Sequence, residues 1–242
     1  MLASKGFAVF SVAYFGIDPL PKELVEVPLE FFERAVDFLK KQPMIDTARM
    51  GIFGYSKGGE LALLLASRHP EIKAVAAYSP SAYVWQGLSK RGQKISSWSY
   101  QGKPISFVPM DIPLLTIVKL IFGRPVSLRS AYERGLEKYS KEADKARIPV
   151  EKIKAPILIT AGDEDAVWPA DIFANEIEKS MKHVGSTIIN IHEKKGGHLT
   201  TQAYLPAAQV FGTLLFGGDA VISADILSKA WSKTVELFKK NL

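Results

Sequence analysis

MGIFGYSKGGELALLLASRH, residues Met50 to His69, joins an apolar run that reads as a strand to a run that reads as a helix. The joint is the pentapeptide Gly54-Tyr55-Ser56-Lys57-Gly58. A strand that turns sharply into a helix lifts one side chain clear of its sheet, and glycines two residues to either side let the two backbones approach. Read this way, Ser56 stands on a nucleophile elbow. Gly-x-Ser-x-Gly also arises by chance, so the strand before it and the helix after it carry the reading.

Working outward, further apolar runs rich in β-branched or aromatic residues occupy Phe7 to Ala13, Ala74 to Tyr78, Pro156 to Ala161 and Ser186 to His192. Their length and near-continuous hydrophobicity predict buried parallel strands. Helical patterns lie between most of them. Pro28 to Lys41 has proline in its first turn, Glu30 and Glu33 early, Lys40 and Lys41 late, and an apolar stripe of Leu29, Phe32, Val36 and Leu39, as helix capping and the helix dipole favour. Lys57 to His69 and Asp171 to His183 predict two more helices. Ser223 to Lys240 predicts a fourth, with Ser223 placed as its N-cap. The alternation predicts an α/β fold with a mostly parallel, doubly wound sheet.

Ser81 to Val150 breaks the alternation. It holds Trp85, Trp98, Phe107, Leu114, Leu115, Ile121 and Phe122 but no clean strand, and is read as a helical cap inserted over the carboxyl edge of the sheet. The whole of 1–242 is then one domain with 81–150 as its insertion. The chain's 242 residues, 47% apolar and 23% charged, suffice for one well-buried core.

The chain has no cysteine, which excludes disulfides, thiolate metal sites and a cysteine nucleophile. Its net charge of +6 is concentrated in the cap, where twelve Lys or Arg face five Asp or Glu. A solvated helical surface and a site for a polyanionic ligand both fit that excess. Nucleic acid is not expected, because no recognised binding motif accompanies the charge. The amino-terminal MLASKGFAVFSVAYFG has one lysine and no small-residue cleavage pattern, so it reads as a core strand rather than a secretory leader. Ile105 to Phe122 is interrupted by Pro109, Asp111, Pro113 and Lys119 and is not expected to span a bilayer. A cytoplasmic location is the resulting expectation.

A serine hydroxyl needs a general base, and the base needs a carboxylate to hold its tautomer. After an elbow these follow in the order Ser, acid, His, each on a loop after a later strand. The strand ending at Ala161-Gly162 is followed by Asp163, Glu164 and Asp165. Asp165, nearest the tip of that loop, is the expected acid, with Asp163 the substitute. Among four histidines, His69 and His183 end helices and His192 lies in a strand pattern. His198 follows Gly196-Gly197 in the loop after the last strand and is the expected base. The backbone N–H of Lys57, at the start of a helix, is one expected oxyanion donor. A second is not evident. The constellation requires no metal and no cofactor.

These residues resemble the α/β-hydrolase domain of acyl-CoA thioesterases and bile acid-CoA:amino acid N-acyltransferases. The matching stretches are ASKGFAVFSVAYFG, LPKELVEVPLEFFERAVDFL, GIFGYSKGGELALLLAS, IPVEKIKAPILITAGDEDAVWPA with the following ANEI, and GGHLTTQAYLP. The resemblance places Ser56, Asp165 and His198 on the family's triad positions. A serine nucleophile implies the branch that hydrolyses thioesters rather than the branch that transfers the acyl group to an amine. It implies an acyl thioester or ester substrate, with coenzyme A as a ligand for the basic cap. A general carboxylesterase of dienelactone-hydrolase type and a catalytically silent acyl- or CoA-binding remnant are the alternatives.

Two departures accompany the resemblance. Gln202-Ala203 stands where the family often has a proline pair. By the same resemblance, the first residues correspond to the end of the family's first helix and its following strand, so a Gly-rich oxyanion loop, a strand and a β-sandwich domain are expected upstream. Met1 then reads as an internal methionine of a longer protein. A truncated paralogue, or a strand supplied by another chain, fits the same departure. The strand between Phe7–Ala13 and Met50–Tyr55 is expected to be lacking, so those two either pair directly or leave backbone groups unpaired.

Overall fold

The computed structural model describes residues 1–89, 92–182, 184–200, 205–207 and 209–242. In chain order the elements are β1 (Val27–Pro28), α1 (Glu30–Lys40), β2 (Met50–Tyr55), α2 (Lys57–Ala66), β3 (Ile72–Tyr78), β4 (Trp98–Tyr100), β5 (Lys103–Pro104) and α3 (Leu114–Ile121). There follow α4 (Arg129–Lys138), α5 (Ser140–Ala146), β6 (Ile157–Gly162), α6 (Ala170–Met181), β7 (Ile188–Glu193), β8 (Val210–Phe211), β9 (Leu214–Leu215) and α7 (Ala220–Asn241). The expected His183, and the Gln202-Ala203 departure, lie outside the described residues.

The main sheet has the order β2-β3-β6-β7 and is parallel throughout. Its inner strands are buried on both faces over most of their length, which is why β3 from Ala74 and β6 are apolar at nearly every position. On β3, Val75 and Ala77 join the core shared with α1, α2 and α6, whereas Ala74, Ala76 and Tyr78 join α7 on the opposite face. On β6, Ile157 and Ile159 face the first core and Leu158 the second. Each such leucine or isoleucine contributes about 1.5–3 kcal/mol through burial.

Three expectations need correction. Phe7 to Ala13 forms no strand. A strand exists only where a ladder forms, and β2 has β3 as its one strand neighbour among the described residues. Of its apolar side chains Phe7 and Val12 are partly buried, whereas Val9 and Phe10 remain 54% and 45% exposed. Phe7 meets Phe238 of α7 edge-on at 6.0 Å, while Val12 and Tyr14 pack into the core on the other face, where Tyr14 lies 5.2 Å from Phe32 and 5.8 Å from Trp98.

The stretch from Ser81 to Val150 is not strand-free. Besides α3, α4 and α5 it holds β4 and β5, and β1 pairs parallel to β4 to make a small second sheet, β1-β4-β5. These strands are two or three residues long, too short to show a period. Finally, Asp219 rather than Ser223 caps α7. The Asp219 carboxylate accepts the N–H groups of Val221 and Ile222 at 2.8 and 2.9 Å, and the helix starts three residues before Ser223. No helix among the described residues is long and apolar enough to cross a membrane.

Candidate active site

Ser56 sits between β2 and α2 with φ +50° and ψ −119°, a conformation an L-residue adopts only under strain. The sharp reversal is possible because Gly54 lacks a side chain, since a Cβ there would lie 2.1 Å from the carbonyl oxygen of Gly58. Gly58 has open space at the corresponding position, so its part in the motif is to bring its backbone, not its missing Cβ, against the strand. Serine before a helix commonly caps it. Here the hydroxyl makes no cap bond and is left for another partner.

That partner is His198. Its Nε2 is 2.9 Å from Ser56 Oγ, and its Nδ1 is 2.6 Å from Asp165 Oδ2. With the Nδ1 proton donated to the carboxylate, Nε2 is the acceptor for the serine hydroxyl. The other oxygen of Asp165 accepts the N–H groups of Val167 and Trp168 at 2.8 and 3.1 Å. The histidine side chain is only 2% exposed and that of Asp165 fully buried. Trp168 and Phe216 hold the imidazole edge-to-face at 5.5 and 5.4 Å.

Asp163, the substitute acid, pairs with His192, so the two carboxylates two residues apart serve different histidines. Lys57 N–H is the first donor of α2, which the helix itself leaves unused.

Several residues that set this geometry were not singled out from the sequence. Arg129, first residue of α4, donates to the carbonyl of Asp163 at 2.8 Å and to the carboxylates of Glu133 and Asp171, both at 2.8 Å. Ser127 Oγ donates to the carbonyl of Ala166 at 2.7 Å. The loop that carries Asp165 is therefore held by Ser127 and Arg129. Ser223 Oγ, freed from capping, accepts the N–H of Gly197 at 3.1 Å, and Ser79 Oγ accepts that of Leu199 at 2.9 Å. Those two bonds grip the loop on either side of His198. The same loop passes so close to Gly217 that a Cβ on Gly197 would lie 2.0 Å from the Gly217 carbonyl oxygen.

Beneath the elbow lies a buried ion pair. Lys57 Nζ is 2.7 Å from both carboxylate oxygens of Glu60, and Trp98 Nε1 donates to one of them at 2.8 Å. Burial pushes the Glu60 carboxyl up and the Lys57 ammonium down from their ordinary values, while each charge holds the other back. Burial, helped by the Glu60 charge, also pushes the Tyr14 hydroxyl up to about 12. A Gly-x-Ser-x-Gly reading stops short of Glu60, and nothing local in the sequence shows that Trp98 reaches it.

A model of the family described as BAAT / Acyl-CoA thioester hydrolase C terminal matches residues 27–242. The chain belongs to this family. Among relatives of this BAAT / acyl-CoA thioester hydrolase domain, acyl-coenzyme A thioesterase 1 of Mus musculus is 29% identical over 253 residues, covering 100% of this chain and 55% of its own length. Acyl-coenzyme A thioesterase 1 of Homo sapiens is 29% identical over 251 residues, covering 100% of this chain and 56% of its own. Acyl-coenzyme A thioesterase 2, mitochondrial, of Mus musculus is 29% identical over 250 residues, covering 100% and 51%. The chain thus spans about half the length of the relatives it matches. An acylaminoacyl peptidase of Pyrococcus horikoshii superposes with a TM-score of 0.51 at 16% identity, over 88% of this chain and 27% of that one. That likeness is one of fold, the α/β-hydrolase fold.

Proposed function

We propose that this chain is a serine hydrolase that cleaves acyl-CoA thioesters to the free acid and coenzyme A through an acyl-enzyme. The observation that carries the reading is the unbroken series from Ser56 Oγ through His198 to Asp165 in a chain of a thioester-hydrolase family. In this reading Ser56 Oγ attacks the thioester carbonyl carbon as its proton passes to His198 Nε2. The Lys57 N–H donates to the oxyanion of the tetrahedral intermediate. Collapse breaks the C–S bond, and the departing thiolate takes the proton from His198. Water then attacks the acyl-serine ester, giving a proton to His198, which returns it to Ser56 Oγ as the C–O bond breaks and the acid leaves. Asp165 keeps the imidazole in the required tautomer throughout.

Coenzyme A as leaving group is supported by the relatives' names and by the excess of positive charge in the cap. Part of that charge is already used within the chain. Arg129 pairs with Glu133 and Asp171, Arg134 and Lys138 pair with Asp111, and Arg147 pairs with Glu151.

Ser56→Ala is expected to abolish acyl-CoA turnover while leaving acyl-CoA binding in place. Undiminished turnover by that variant ends the proposal. Comparing acyl-CoA with p-nitrophenyl esters separates a thioesterase from a general carboxylesterase, and labelling of Ser56 by a fluorophosphonate probe separates either from a silent remnant. The proposal places this chemistry in the cytoplasm, which cell fractionation checks against the mitochondrial location carried in one relative's name.

A further inference from the structure

The helix α3 has no buried side chain. Leu114, Leu115, Ile117, Val118, Leu120 and Ile121 all face water, and Phe122, which follows, is 74% exposed. A helix at a protein surface normally turns its apolar stripe inward, and an apolar surface left open marks a place of contact. Thr116 and Lys119, three residues apart, make the one polar line along it.

A second exposed apolar element lies beside it. The β8–β9 hairpin carries Phe211, 73% exposed, and is stitched to the chain leaving α3, since Val126 N–H donates to the Thr213 carbonyl at 2.8 Å and Leu215 N–H to the Val126 carbonyl at 2.9 Å. Val126 follows Phe122 by four positions, so Phe122 lies within about 14 Å of the residue that pairs with that hairpin. Phe211 in turn stacks on Phe216 with ring centroids 6.5 Å apart, and Phe216 meets His198. Exposed apolar surface thus leads to the wall of the Ser56–His198 site.

Charge identifies what this surface meets. From Lys103 to Leu128 the sole carboxylate is Asp111, and it is neutralised by Arg134 and Lys138 at 2.7 and 2.6 Å. Lys119 and Arg124 have no ion pair among the described residues. Two unpaired cations flanking a wide apolar surface suit a layer that is negatively charged outside and oily within. A second copy of the same surface would set these cations against each other. At eight residues, about 12 Å long, the helix is too short to cross a bilayer and long enough to lie in its interface.

We propose that α3, Phe122 and the tip of the β8–β9 hairpin dock this protein on an anionic lipid bilayer. The apolar side chains enter the boundary between headgroups and acyl chains, and Lys119 and Arg124 lie against lipid phosphates. The mouth of the site then faces the phase in which long-chain acyl thioesters partition. That last consequence rests on the proposed hydrolysis, whereas the docking does not.

The test is co-sedimentation of the full chain with vesicles of phosphatidylcholine alone or mixed with phosphatidylglycerol, without substrate. Two cations at the surface are expected to favour the anionic vesicles by roughly 10- to 30-fold. The combined Leu114→Ser, Leu115→Ser and Phe122→Ser variant is expected to lower binding at least about tenfold, with folding checked by thermal melting in circular dichroism. Lys119→Glu with Arg124→Glu, both on exposed side chains, is expected to erase the preference for anionic vesicles. No binding to anionic vesicles, equal binding to neutral ones, or full binding by the serine variant overturns the proposal. So does a native dimer that the serine variant dissociates in light scattering, since a second copy would then cover the surface. A chain that binds vesicles but hydrolyses nothing leaves docking in place, and one that hydrolyses but does not bind removes docking alone.

Discussion

At the residue scale, the arrangement depends on a few atoms whose removal has distinct signatures. Asp165→Asn would offer the imidazole an amide in place of a carboxylate, favouring the wrong tautomer. Steady-state acyl-CoA hydrolysis is expected to fall roughly 10³- to 10⁴-fold, with the fold intact by circular dichroism. Gly54→Ala forces a methyl group onto the Gly58 carbonyl and is expected to cost at least about 1–3 kcal/mol in denaturant unfolding.

The buried Lys57–Glu60 pair gives a prediction with a pH sign. Glu60→Gln strips a largely buried ammonium, its side chain 11% exposed, of its counter-charge and is expected to cost about 3–5 kcal/mol. Burial favours the neutral amine in the folded state, so the unfolded chain binds the proton more tightly than the folded one. The deficit is therefore greater at neutral pH and shrinks as pH rises toward the ordinary lysine value of 10.5. Urea titrations at neutral and alkaline pH measure it. A deficit that grows with pH would contradict a charged, unpaired Lys57.

At the scale of elements, the helices following the strands are legible because each carries its own periodicity and end signals. Their caps are less so. Serine favours the N-cap position, which is what Ser223 suggests, yet Asp219 lies four residues earlier and reaches the orphan N–H groups of Val221 and Ile222. Asp219→Ala is expected to lower stability by about 1 kcal/mol, read as a shift in the urea midpoint. Ser223→Ala is expected to act differently, loosening the loop that presents His198 and lowering kcat more than it lowers the melting temperature. The strand expected at Phe7 to Ala13 is missing for a related reason. Hydrophobic pattern reports a tendency toward burial, and here that tendency is met at Phe7, against Phe238, and at Val12, without a ladder.

At the scale of the whole molecule, the segment 81–150 is joined to the site through Arg129 and Ser127 and is itself held by a charge cluster. Lys138 first, then Arg134, hold the Asp111 carboxyl below its ordinary value of 3.8. For a carboxylate lowered by folding, the stabilisation is complete above that value and is lost as pH falls through the folded one. Asp111→Asn is therefore expected to lower the melting temperature at neutral pH and to be indistinguishable from the native chain in strong acid, as differential scanning calorimetry would show.

The strand-turn-helix at Ser56, the α/β class, the order of the four main strands along the chain and the loop positions of Ser56, Asp165 and His198 were readable from the sequence alone. Each is written locally, as a period, a turn or a residue at a loop tip. The pairing of Asp163 with His192, the burial of Lys57 against Glu60 and Trp98, the grip of Arg129, Ser79 and Ser223 on the two loops, and the exposure of α3 required the tertiary structure. All but the Lys57–Glu60 pair and the α3 surface are contacts between residues tens of positions apart, and all depend on burial and distance, which no stretch of chain contains until it is folded against the others.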